Sequence, residues 1–285
     1  MTRFIAEVSS NHQRDLSRAL AFIDAAAGAG CDAVKFQLFR IDELFAPEIL
    51  SRSEQHRQRR EWELPLAFLP ELAARCRERN IEFACTPFYL GAVAELAPHV
   101  DFYKIASYEL LWDDLLAACA RTGKPVLLST GMATLTEIRH AVETLRRNGC
   151  TDPILLHCTS AYPTPHDQAN LAAIETLRRQ TGCRCGWSDH TVSPGVIHRA
   201  VHRWSAEVIE FHLDLDGEGE EFAAGHCWLP EQIARVIQDV SQGLAADGDG
   251  VKKPVPAEEP DRLWRADPTD GLRPLKSIRN GWQPT

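Results

Sequence analysis

Two histidines define the chemistry open to this chain. His190 stands beside Asp189 at the end of one short apolar run, Cys185 to Trp187, and His212 closes another, Val208 to Phe211, two residues before Asp214. They lie 22 positions apart. Between them, Val196 to Trp204 carries apolar residues near i, i+3 and i+4, opened by a Ser-Pro pair suited to a helix start. A strand, helix, strand unit makes its strands parallel, so both imidazoles emerge at the same carboxyl edge, one strand spacing of ~5 Å apart. That separation suits two imidazoles on one divalent cation. A lone strand-end histidine more often caps a carbonyl; a pair with acidic neighbours favours the metal.

Lysine usage adds a second signal, because the chain has only six lysines against 25 arginines. Lys35 in AVKFQ and Lys104 in FYKIAS sit inside apolar strands, where a lysine is costly unless it meets an anion. A ligand's negative charge is the expected partner, with pairing to Glu7 or Glu109 across a barrel layer as the alternative. Hydroxyls at Thr86, Ser107, Ser129 and Ser160 would complete a cradle for a carboxylate and a phosphate.

These residues must be brought together by the elements that carry them. Strand-length apolar runs recur at Phe4–Val8, Ala33–Phe39, Glu82–Phe88, Phe102–Ser107, Val126–Thr130, Ile154–Ser160, Cys185–His190 and Val208–Leu215, most followed by an amphipathic stretch. Eight alternating units without a hairpin signal predict an α/β fold, a closed (β/α)8 TIM barrel. In such a barrel the carboxyl ends of the strands converge on one mouth. Glu7, Gln37, Tyr162 and the residues already named fall at those ends.

Length and composition agree with one catalytic domain: 285 residues, 44% hydrophobic, formal charge -9. The barrel is expected over 1–244, with 245–285 a linker and short tail without an independent core. No basic stripe favours nucleic acid, no apolar run reaches the ~20 residues of a membrane span, and nine scattered cysteines suit a reducing cytoplasmic setting. The charged segment 41–66 is long for a βα connection and is read either as a lid or as a solvated excursion.

The ordered motifs IAEVSSNH, DAVKFQLF, CTPF, YKIAS, TGKPVLLSTGMATLTEI, LLHCTSAYPTP, WSDHT and IEFHLDLD resemble the sialic acid synthase family, N-acetylneuraminate synthase and relatives, across residues 4–216. The resemblance implies a metal-dependent condensation of phosphoenolpyruvate with an open-chain aldose or N-acyl amino sugar, giving a 3-deoxy-2-keto sugar acid and phosphate. By that similarity His190 and His212 would bind the metal, usually Mn²⁺. Lys35, Thr86, Lys104, Ser107, Ser129, Ser160, Tyr162 and Ser188 would surround phosphoenolpyruvate, Glu7 would act beside the sugar carbonyl, and Gln37 would contact it nearby. A homodimer is expected.

Two departures bear on the sugar. Where relatives carry a GPDH-like segment whose aspartate contacts the sugar, this chain reads AAGH, with Gly225 before His226. The appended antifreeze-like domain of many relatives is expected to be lacking, so the mouth would be closed by other groups: Arg57, Arg59, Arg60 and Trp62 of the long loop, or His226 and Trp228. Two other classes compete with the condensation. One is a Schiff-base aldolase using Lys104 or Lys35 on pyruvate, and the other a non-catalytic phosphosugar-binding barrel.

Overall fold

The computed structural model describes residues 2–283. Eight parallel strands, β1 (Arg3–Glu7), β2 (Ala33–Leu38), β3 (Glu82–Pro87), β4 (Phe102–Ile105), β5 (Val126–Ser129), β6 (Ile154–His157), β7 (Arg184–Asp189) and β8 (Val208–Leu213), pair in chain order. β1 then pairs with β8, closing the (β/α)8 barrel that the sequence predicts. A ninth, two-residue strand that the sequence reading did not anticipate, β9 (Cys227–Trp228), adds to the upper end of β8, with Cys227 opposite His212.

Local signals set the element ends. The helix Leu16–Gly28 starts where the Asp15 carboxylate accepts the Arg18 amide at 2.8 Å, and Leu135–Arg147 opens with a capping box of Thr134 and Glu137. Asn80 and Gly182, both left-handed, end the helices Leu69–Arg79 and Ala173–Thr181. The predicted helix Val196–Trp204 is instead a short helix, Pro194–His198, running into a π turn, Arg199–Arg203.

Strand period two sorts side chains between the barrel axis and the helices. Ile5, Ala33, Ala84, Phe102, Leu127, Ile154, Leu156 and Val208 form one buried apolar cluster. Two residues further along their strands stand Glu7, Lys35, Thr86, Lys104, Ser129 and Glu210. The same inward rows are thus apolar below and polar at the mouth.

Contacts divide the chain into Met1–Gly243 and Leu244–Thr285. The second unit contains the short turns Pro256–Glu258, Arg262–Trp264 and Lys276–Arg279, an Arg279–Asp270 ion pair and an edge-on Trp264–Trp282 contact. Among the described residues no helix is long and apolar enough to cross a membrane.

Gly186 lies in β7 on the inward row of Ser188 and His190, where a Cβ would collide with the Val208 carbonyl and lie 2.8 Å from Leu156 Cδ2. Gly186→Ala should therefore destabilise the barrel by about 1–3 kcal/mol, the usual cost of overpacking, read by urea denaturation. An unchanged midpoint would mean that the two strands can part at no cost.

Candidate active site

The mouth is built on two buried ion pairs. Lys35 pairs with Glu7 and donates to Thr86 Oγ1 at 3.1 Å, while Lys104 pairs with Glu210 at 3.2 Å. Glu7 also accepts from Gln37 Nε2 at 2.7 Å and from the Ser9 amide at 3.0 Å, and Glu210 from Ser188 Oγ at 3.1 Å. Burial works against charge at Lys35 and Glu210. For Lys35 that penalty is outweighed by Glu210 and Glu7, which raise its pKa, and for Glu210 by Lys104 and Lys35, which hold it at about 2. Each lysine thus has a protein carboxylate beside it, the alternative weighed from sequence for Glu7, and Glu210 is a site residue that the sequence reading missed.

Beside this network several hydroxyls converge. Ser107 Oγ accepts the Gly131 amide at 3.0 Å and lies 3.3 Å from Cys158 Sγ. Ser129 Oγ and Ser160 Oγ are buried without a hydrogen-bond partner among the described residues. A Cβ at Gly131 would crowd Ser107 and Ser160, so the backbone here approaches the two hydroxyls closely. Buried hydroxyls without partners are costly, and an acceptor-rich ligand such as a phosphate would satisfy them.

His190 and His212 meet at the same edge, ring centroids 5.5 Å apart. Two imidazoles binding one ion at ~2.1 Å in tetrahedral positions would have centroids roughly 5 Å apart, so the pair fits a shared cation. His190 Nδ1 donates to the Thr159 carbonyl at 2.9 Å, and His212 Nδ1 meets Glu221 at 2.8 Å, which leaves both Nε2 atoms as the available ligands. Burial, with His212 nearby, pushes His190 down to about 3 and keeps it neutral. Burial opposes charge on His212 as well, but Glu221 overrides it and raises the pKa. Burial likewise opposes charge on Glu221, yet His212 and the surrounding hydrogen bonds hold its carboxyl well below the usual range. The Tyr162 ring packs 4.2 Å from His190 and 5.3 Å from His226.

A further donor set, also missed from sequence, shares His212. Glu221, His226 and Cys227 join it with ligand atoms all within 4.8 Å. Burial and the adjacent Glu221 push the Cys227 thiol far up, so it is the poorest donor of the four. Proximity in sequence could not reveal this group, because it needs the chain to fold back after β8.

The long connection 41–66 is a string of short helical turns, and the three arginines proposed from sequence to close the site have partners within it. Arg57 pairs with Glu54, Arg60 with Asp42, and Arg59 lies over Phe45 and Trp62. Trp228 is not at the mouth either: it is buried and donates to Asp189 Oδ2 at 3.1 Å. Of the groups proposed from sequence to close the site, His226 packs against Tyr162 and His212, and Trp62 lines a cleft together with Glu221.

Residues 22–252 match the model of the NeuB family. An N,N'-diacetyllegionaminic acid synthase of Campylobacter jejuni is 34% identical over 90% of this chain and 81% of its own length. An N-acetylneuraminate-9-phosphate synthase of Drosophila melanogaster is 31% identical over 82% of this chain and 65% of its own. The crystal structure of an N-acetylneuraminic acid synthetase from Leptospira borgpetersenii superposes with a TM-score of 0.81 at 32% identity, covering 91% of this chain and 90% of that one.

Glu109, just past β4, has a buried carboxylate oxygen without a partner among the described residues, and burial, opposed to some extent by Lys104, raises its pKa from 4.5 to about 7. The folded-state value lies above the unfolded one, so this group's stabilisation is complete below about pH 4.5 and is lost as the pH rises through about 7. Glu109→Gln does not titrate. It should gain on the wild type by up to about 3 kcal/mol between pH 4.5 and 8, and parallel stability curves would show the carboxyl to be hydrated.

Proposed function

The chain belongs to the NeuB family of sialic acid synthases, and from that premise we propose that it condenses phosphoenolpyruvate with an open-chain aldose or N-acyl amino sugar, with His190 and His212 holding a divalent cation, Mn²⁺. It is a sialic acid synthase-like transferase with a TIM-barrel fold. The observation that carries the reading is the meeting, in one mouth, of two imidazoles 5.5 Å apart with two buried lysines and the unpartnered hydroxyls of Ser129 and Ser160.

Bound there, the cation would polarise the aldehyde carbonyl and lower the cost of negative charge on its oxygen. Lys35 and Lys104 would hold the carboxylate and phosphate of phosphoenolpyruvate, with Thr86, Ser107, Ser129, Ser160 and Ser188 supplying neutral donors and Tyr162 bordering them. Carbon 3 of phosphoenolpyruvate bonds to the aldehyde carbon, water adds to carbon 2, and the carbon 2 to phosphate-oxygen bond breaks. One proton of that water ends on the new hydroxyl and the other on the departing phosphate. Glu7, oriented by Gln37 and the Ser9 amide, would relay the proton to the new hydroxyl. Nine free, buried cysteines support a cytoplasmic setting.

Phosphate release from phosphoenolpyruvate should require an aldose, vanish in chelator and return with Mn²⁺. A His212→Ala variant should lose bound metal as well as turnover; normal metal content and turnover would overturn the metal assignment. Lys35→Met or Lys104→Met should raise the KM for phosphoenolpyruvate, the lost charged contact being worth about 2–5 kcal/mol, and an unchanged KM would assign that lysine to structure. Borohydride with pyruvate should label neither lysine. Covalent labelling would instead support the Schiff-base aldolase.

A further inference from the structure

The connection after β2 presents Glu61 and Trp62, rather than its arginines, to the rest of the barrel. These two residues face Asn11 and Arg14 of the loop after β1 and Glu220 and Glu221 of the loop after β8 across a cleft of about 420 Å³. Arg14 Nη1 donates to the Arg60 carbonyl at 2.8 Å, tying the connection to the first loop. The cleft opens next to the reacting groups. Glu221 lines it and holds His212, and Ser9 bonds both Glu221 and, through its amide, Glu7.

Two properties of the walls limit the occupant. The volume suits a molecule of hexose size, and Trp62, 37% exposed, offers an aromatic face for the C–H side of a sugar. The charge is lopsided: Glu61, Glu220 and Glu221 oppose Arg14 alone among the lining residues. Carboxylates accept hydrogen bonds from hydroxyls or an ammonium group, whereas a phosphate finds one cation and three like charges.

We infer that this cleft receives the acceptor, and that the acceptor is a neutral or cationic polyhydroxy aldehyde rather than a sugar phosphate. The inference rests on the condensation proposed above and names the substrate class of its second half. Acidic side chains at the rim reject the phosphorylated form by repulsion, which is specificity built against a competitor.

The test is calorimetry on the Mn²⁺-loaded protein with four probes: an N-acetylhexosamine, the free hexosamine, and the 6-phosphate of each. Both unphosphorylated sugars should bind at least roughly tenfold tighter than their phosphates, given the net charge of the wall. A Glu61→Gln, Glu220→Gln double variant should shrink that ratio, and Trp62→Ala should weaken the neutral sugars. All three positions are exposed, so the variants should fold, as their melting curves can verify. Tighter binding of either phosphate, a ratio untouched by the double variant, or no binding of any probe would overturn the inference. Phosphate release measured with the same panel separates this from the parent reading. Binding with the stated preference but without release would sink the condensation and leave the preference of the cleft standing; release favouring the 6-phosphates would do the reverse.

Discussion

Four charges share the interior of the barrel, and their mutual neutralisation is the constraint on which the mouth depends. Lys35, Lys104, Glu7 and Glu210 are each at most 4% exposed, and removing one member of such a set typically costs about 3–5 kcal/mol because its partner is left bare. An apolar filling would serve stability as well or better, so the pairs are understood through what they can exchange. An anionic substrate can share the lysines only if some of its added negative charge is cancelled. In the proposed reaction, that requirement would give a divalent cation beside His190 and His212 an electrostatic role in substrate binding, besides its action on the aldehyde.

The histidine edge is held from behind by Asp189. Fully buried, it accepts from the Trp187 indole at 3.1 Å, the Thr191 amide and hydroxyl at 3.1 and 2.6 Å, the Val192 amide at 3.2 Å and the Trp228 indole at 3.1 Å. One carboxylate thereby fixes the turn that carries His190 and ties β9 to β7. Since His226 directly precedes β9, the same contact sets how the segment after β8 approaches the edge that carries His190 and His212. Asp214 has the matching role just past β8, accepting the Gly219 amide at 3.1 Å and pairing with Arg18 at 3.2 Å. The loop that bears Glu221 therefore starts from a fixed point.

Most of the barrel and the strand-borne half of the site could be read from residue order, because both depend on local rules. Period two decides which side of a strand faces the axis, so Ile5 and Glu7, Phe102 and Lys104, and Val208 and His212 share rows before any fold is known. Parallel strands then bring their carboxyl ends to one mouth, which is why His190 and His212 could be paired across 22 residues. Glu210 obeys the same rule and was missed only because a glutamate between two apolar residues was not weighed as a site residue. The loop-borne half follows no such period. Glu221 reaches His212 from nine residues on, Trp62 reaches the loop after β1 from the far side of β2, and Trp228, a candidate for the mouth, turns inward to Asp189. Those positions follow from where irregular backbone finds hydrogen-bond partners and how much apolar surface it can bury. Both are set by contacts between segments distant in sequence, and so they were decided only when the barrel closed.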